Sequence, residues 1–363
     1  MRHFRKRSIV FAATLTALLT ACVSAPPPVP DNAHLVDFGA GAERWELQDT
    51  AYFPQAEHYS AAEALAMAMY TKAAPIVPND VGAHLAPAAN DAPALRAALT
   101  QAALALGYLP YPVPDGLRGV ITEVRAGHPV AVLLNLGSKA KPNWRYAVVN
   151  GYDPATDALL LRSGTEARVR LRPSAFLNSW RAGDNWAVVT LPPDQFPATA
   201  VMTSWIAASE GFNAIRKPAY AETAATAAIQ HWPDQVLPWM ALGNARYHQA
   251  NFPGAETAYV KAIALRNDNP VAHHNLAQVL LERRCVDVAA REVAWAIDHE
   301  TDTQLKAVYA ETAAKIMKAS ASGPAVFCPS PIGDAQAPIE YDVLPLNPEN
   351  PRAQKARKPP KKK

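Results

Sequence analysis

The chain has 363 residues, 50% of them hydrophobic and 18% charged, enough to build one or two globular cores. Its formal charge is +3, but eleven of its 35 basic residues lie in the first 21 and last 13 positions, which hold no Asp or Glu. The other 24 face 32 acidic residues, so the body of the chain carries about −8, which excludes the basic surface of a nucleic-acid binder.

The N-terminus reads as an export signal. MRHFRKR is a basic segment, and SIVFAATLTALLTA is an apolar run of signal-peptide length, short for a membrane span. It ends in Leu19-Thr20-Ala21-Cys22, which resembles a bacterial lipobox. That resemblance implies a signal peptide over 1–21, cleavage before Cys22, a diacylglycerol on its thiol and an acylated amine. Val23, not Asp, follows Cys22, which by resemblance to Gram-negative sorting implies a periplasm-facing outer-membrane lipoprotein. The Pro-rich linker over 22–35 suits an anchored domain that needs a stiff spacer. The alternative is an ordinary signal peptide with a coincidental cysteine. With Cys22 lipidated, Cys285 and Cys328 remain as an even pair in an oxidising compartment. A disulfide between them would close a loop of about 43 residues and restrict the unfolded chain by roughly 4 kcal/mol. Two unpaired buried thiols are the other reading.

Residues 36–197 read as a first domain. A strand is expected over 45–53 and a helix over 60–72. A second helix is expected over 93–106, stopped by Gly107, and a third begins at Asp115 and ends at Gly127. The pattern then changes to short Val-rich runs that predict strands at 129–135, 145–152, 158–163, 168–171 and 186–191, with Asp153-Pro154 as a turn. Helices followed by an antiparallel sheet make an α+β domain.

The segments FPQ (53–55), GHPVAVLLN (127–135), WRYAVVNGYD (144–153), LRSG (161–164) and the F-x-x-x-W of 176–180 resemble the bacteriocin-processing (double-glycine) cysteine peptidases. These are papain-like, and the likeness is greatest to their periplasmic lipoprotein relatives with C-terminal tetratricopeptide repeats. The resemblance implies a papain-like domain in which Gln55 lines an oxyanion hole. It also implies a Cys-Gly-Pro helix start and a His before Tyr-Ala-Val-Val. Here Ser60-Ala61-Ala62 and Arg145 stand in those places, and Ser163 falls where an Asp or Asn orienter is usual. A helix N-terminus and an imidazolium make a cysteine a thiolate, but a serine needs a general base, and arginine stays protonated. The expectation is a degenerate site (Gln55, Ser60, Arg145, Ser163), with Ser60 as a helix N-cap and Arg145 and Arg162 as binders of carboxylate or phosphate. His58 and His84 are the conceivable substitute bases; His128 reads as structural. The alternative is an active periplasmic peptidase. No motif requires a metal or other cofactor.

Residues 198–319 carry a repeat. Leu242, Gly243, Ala255, Tyr259 and Ala262 recur 34 positions later as Leu276, Ala277, Ala289, Val293 and Ala296, and Trp239 falls 34 after Trp205. The pattern is similar to tetratricopeptide repeats, which implies an all-α superhelix whose groove takes a protein or peptide partner. A plain helical bundle is the alternative. Residues 320–363 form a Pro-rich basic tail without apolar periodicity, expected to be disordered. The whole reads as a membrane-anchored adaptor or scaffold without nucleic-acid partners, or as a tether in which the repeats only brace the first domain.

Overall fold

The computed structural model describes residues 44–54, 60–70, 74–85, 94–321, 328–329 and 331. Among these the chain forms twelve helices and one seven-stranded antiparallel sheet, a mixed α+β arrangement with a helical C-terminal region. The signal segment, Cys22, the linker, Gln55, His58 and nearly all of the tail lie outside the described residues. Contacts divide the chain into two compact units, one ending at Ala227 and one beginning at Ala228.

In the first unit the strands are β1 (Trp45–Glu46), β2 (Leu109–Pro112), β3 (Val130–Asn135), β4 (Trp144–Asp153), β5 (Ala158–Ser163), β6 (Glu166–Leu171) and β7 (Ala187–Leu191). Their order is β2-β7-β3-β4-β5-β6, with β1 paired to β4. Helices α1 (Ala61–Met69), α2 (Pro78–Gly82), α3 (Leu95–Ala105), α4 (Gly116–Arg125) and α5 (Pro173–Arg181) cover it. Period-two alternation sorts the central strands onto two faces. Leu133, Tyr146 and Val148 join α1 and α3 in one core, whereas Val132, Leu134, Ala147, Val149 and Leu161 join α4 and α5 in another. A strand buried on both faces reads as a continuous apolar run, as residues 130–134 of β3 and 146–149 of β4 do.

The local expectations miss at β1, α1, β2 and Asp115, and helices α2 and α5 were not expected. The first strand is two residues long, not nine, and α1 stops at Met69, where Tyr70 turns extended. Strand β2, Leu109-Pro110-Tyr111-Pro112, was not expected. It lies at the sheet edge, where a proline need not donate to a neighbour. Asp115 does stand at the start of α4, but at φ 61° and with no side-chain bond to the helix.

A buried carboxylate anchors the segment after β7. Glu123 on α4 accepts bonds from the Thr199 amide (2.6 Å), the Thr199 hydroxyl (2.5 Å) and the Ala198 amide (3.0 Å), and pairs with His128 Nδ1 at 2.8 Å. Burial pushes the Glu123 carboxyl up, but the bonds from His128, Thr199 and Ala198 outweigh it and hold the group below its ordinary value. Tyr111 adds a second tie, donating to the Thr199 carbonyl and accepting from the Val201 amide. These bonds set the entry to α6 (Met202–Ala214), which packs on β2 and α3 and is followed by α7 (Pro218–His231).

The second unit holds α8 (Val236–His248), α9 (Phe252–Leu265), α10 (Pro270–Glu282), α11 (Val286–His299) and α12 (Thr303–Ala321). Helix α8 packs on α9, and α10 on α11. The positions that recur at 34 residues (Leu242 and Leu276, Ala255 and Ala289, Tyr259 and Val293, Ala262 and Ala296) are all buried. A Cβ at Gly243 would lie 2.4 Å from the Tyr259 ring, so that crossing needs a residue without one. The sulfurs of Cys285 and Cys328 lie at bonding distance, with Cα atoms 5.5 Å apart.

Three consecutive polar residues of α10 reach three different helices. His273 pairs with Glu292 at 2.7 Å and stacks on Trp295, both on α11. His274 bonds Thr312 at 3.0 Å and stacks on Tyr309, both on α12. Asn275 donates weakly to Asn244 of α8 at 3.4 Å. Burial pushes the His274 imidazole down to about 4. Its folded value lies below the ordinary 6.5, so the unfolded chain takes up this proton first as pH falls. The contribution is complete above 6.5 and is lost between about 6.5 and about 4, a change of about 3 kcal/mol. Urea midpoints of the full chain are therefore expected to fall across that window, and His274→Gln to flatten the fall while lowering stability near neutrality. An unchanged acid slope in the variant would contradict this.

Candidate functional site

Ser60 stands at the start of α1 with φ 56° and ψ 34°, in the left-handed region, and makes no capping bond. The expected N-cap role is therefore not filled: a capping serine has extended dihedrals and accepts from the first turn. The residue is 1% exposed, and its Oγ has no hydrogen-bond partner among the described residues. A buried hydroxyl without a partner costs about 1–3 kcal/mol, and a non-glycine residue in the left-handed region about 1–2 kcal/mol.

Arg145 pairs with Leu134 across β3–β4. Alternation along β4 assigns it to the face of Ala147 and Val149, the side of α4 and α5, while Tyr146 faces α1. It makes no ion pair among the described residues. Ser163 is buried at the end of β5, opposite Glu166, where Gly164 at φ 61° turns the chain. His84 is exposed in the turn after α2, and His128 is held by Glu123.

Arg162 occupies the other face. It pairs with Val148, so its side chain shares the α1 side of the sheet. One guanidinium NH donates to the Ala167 carbonyl at 3.0 Å, while its Nε is buried without a partner. Burial holds this guanidinium below its ordinary value, Arg168 adds to the effect, and Glu46 and Tyr52 oppose it. The group still stays charged, because the ordinary value is so high.

Beside it lies a charged cluster that the sequence reading missed. Glu46 on β1, 2% exposed at its side chain, is bonded by Arg44 at 2.8 Å and Arg168 at 2.7 Å. Arg170 reaches Asp153 at 3.4 Å. Burial raises the Glu46 carboxyl, but its bonds to Arg168 and Arg44 bring it below the ordinary value. The signal was the alternation Arg168-Val169-Arg170-Leu171, which puts both arginines on one face of an edge strand. Tyr52 donates to the Gly164 carbonyl at 3.3 Å and packs with Phe53 against the α1 core.

The arrangement offers positive charge on both sheet faces and a sequestered hydroxyl, with no imidazole bonded to that hydroxyl among the described residues. Among the described residues no three His, Cys, Asp or Glu side chains group as a metal site. Compared with known proteins, the chain matches no family model and has no significant match among curated sequences.

Ser60→Gly relieves both the left-handed strain and the unpartnered hydroxyl. It is expected to raise stability by about 1 kcal/mol in urea unfolding, after allowance for the greater freedom of glycine in the unfolded chain. A loss of similar size would mean that the hydroxyl is bonded in the folded protein.

Proposed function

We propose that the chain is a periplasm-facing lipoprotein of the outer membrane, anchored through Cys22. In this reading a papain-like domain that has lost its catalytic residues is joined to tetratricopeptide-type helices, and the protein works by binding a protein or peptide. The observation that carries the non-catalytic reading is the Ser60 Oγ, buried and without a hydrogen-bond partner among the described residues. A serine so placed is not activated, since nucleophilic serines rely on a hydrogen-bonded base. The order of helices and then antiparallel strands, and the buried positions recurring at 34 residues, are consistent with the two folds. The arginines on both faces of the sheet favour ligands that bear carboxylate or phosphate groups.

The second reading is an active peptidase or hydrolase. It draws on the left-handed conformation of Ser60, because strained residues cluster at working active sites. A fluorophosphonate probe separates the two. The full chain is expected to take no label at Ser60, so that wild type and Ser60→Ala give the same pattern. Labelling of the wild type that disappears in Ser60→Ala would overturn the non-catalytic reading.

A further inference from the structure

The β3–β4 hairpin projects a rigid, basic and apolar tip. Residues 136–143 are all exposed, and Leu136 retains 46% of its accessible surface. The loop is nonetheless tightly held. The half-amide oxygen of Asn135, a buried residue, accepts from the Gly137 and Asn143 amides, each at 2.9 Å. The Leu136 amide donates to the Asn143 carbonyl at 2.8 Å, and the Ser138 amide to the Lys141 carbonyl at 3.1 Å. The Lys141 amide in turn donates to Ser138 Oγ at 3.1 Å. Gly137 is required, since a Cβ there would sit 2.3 Å from the Lys141 carbonyl oxygen. So many internal bonds show that Leu136 is displayed by a fixed framework.

The charge around it is one-sided. Lys139, Lys141 and Arg145 lie in a stretch with no Asp or Glu between Glu123 and Asp153. None of the three makes an ion pair among the described residues. The loop before β7 reaches the same end of the sheet, as the Leu133 amide bond to the Trp186 carbonyl shows. It brings Arg181 and Asp184, and Asp184 is already bonded to Arg96 at 2.8 Å. Glu166 stands apart at the outer β5–β6 turn, and Asp115 follows β2 at the opposite edge. Strands β3 and β4 are interior to the sheet, so this tip offers no free strand edge for an extended peptide to join.

We infer that the β3–β4 hairpin is a contact point for an anionic lipid surface, with Leu136 entering the headgroup region and Lys139, Lys141 and Arg145 meeting lipid phosphates. An exposed apolar residue on a loop that also carries cations without ion pairs among the described residues suits a flat, negatively charged interface better than a concave ligand site. The side chains of the two lysines are long enough to lie along the interface while Leu136 goes deeper. This inference is independent of both the lost catalysis and the lipid anchor, because the contact is read at residue 136 itself.

The test uses the full chain carrying Cys22→Ser and Leu136→Cys, with an environment-sensitive fluorophore on the new thiol and Cys285 and Cys328 left bonded. Vesicles of phosphatidylcholine with phosphatidylglycerol are expected to shift the emission to the blue, and phosphatidylcholine alone to leave it unchanged. Adding Lys139→Gln and Lys141→Gln should weaken the interaction, read by this fluorophore, roughly fivefold for each lysine. An unchanged emission while the protein sediments with the anionic vesicles would overturn the inference, placing the contact elsewhere, such as the basic tail. A shift with polyglutamate and none with vesicles would also overturn it, in favour of an acidic protein partner.

Discussion

Strand β4 is the constraint on which the sheet unit depends. It pairs with β3, β5 and β1 and is buried from Tyr146 to Asp153. A strand covered on both sides has no freedom of register, because a slip of one residue would exchange every side chain between two filled cores. That alternation also decides which polar residues can meet. Tyr146 and Val148 face α1; Arg145 falls with Ala147 and Val149, and Arg162, across from Val148, falls on the α1 side. The cation that shares a face with the α1 core is thus Arg162, and its neighbours Glu46, Arg44 and Arg168 form a charge cluster rather than an acid–base pair.

The helical unit has a comparable centre in α10. Its apolar residues fill the core, while His273, His274 and Asn275 each engage a different helix. Stacking of His273 on Trp295 and of Trp295 on His299 extends the same line of contacts along α11. His274 stays neutral at physiological pH because of its burial, which makes this core sensitive to acid.

Much of this was legible before any coordinates. The Val-rich runs at 129–135 and 145–152 became strands because apolar β-branched residues at that density favour them, and the short apolar run at 158–163 followed as their neighbour. The spacing of 34 marked buried positions, since a repeated helix hairpin needs small residues wherever it crosses itself. The edge strand β2 was hidden by Pro110 and Pro112, whose effect depends on whether a neighbour requires their missing amide hydrogen. Ser60 was misread for a related reason: its residue type favours capping, but its dihedrals, set by the surrounding chain, prevent it. Nor does local sequence reveal the role of Glu123, whose Ala198 and Thr199 partners lie about 75 residues away.

Among the described residues the Ser60 hydroxyl has no partner, and a thiol put in its place reports on that isolation. In the full chain with Cys22→Ser and Ser60→Cys, thiolate absorbance followed against pH gives the ionisation of the new thiol. A buried thiol without an imidazolium neighbour is predicted to titrate at or above about 8.5, despite its position at the start of α1. A thiolate already formed at neutral pH would contradict the account, since it would place a positive or proton-accepting partner beside residue 60.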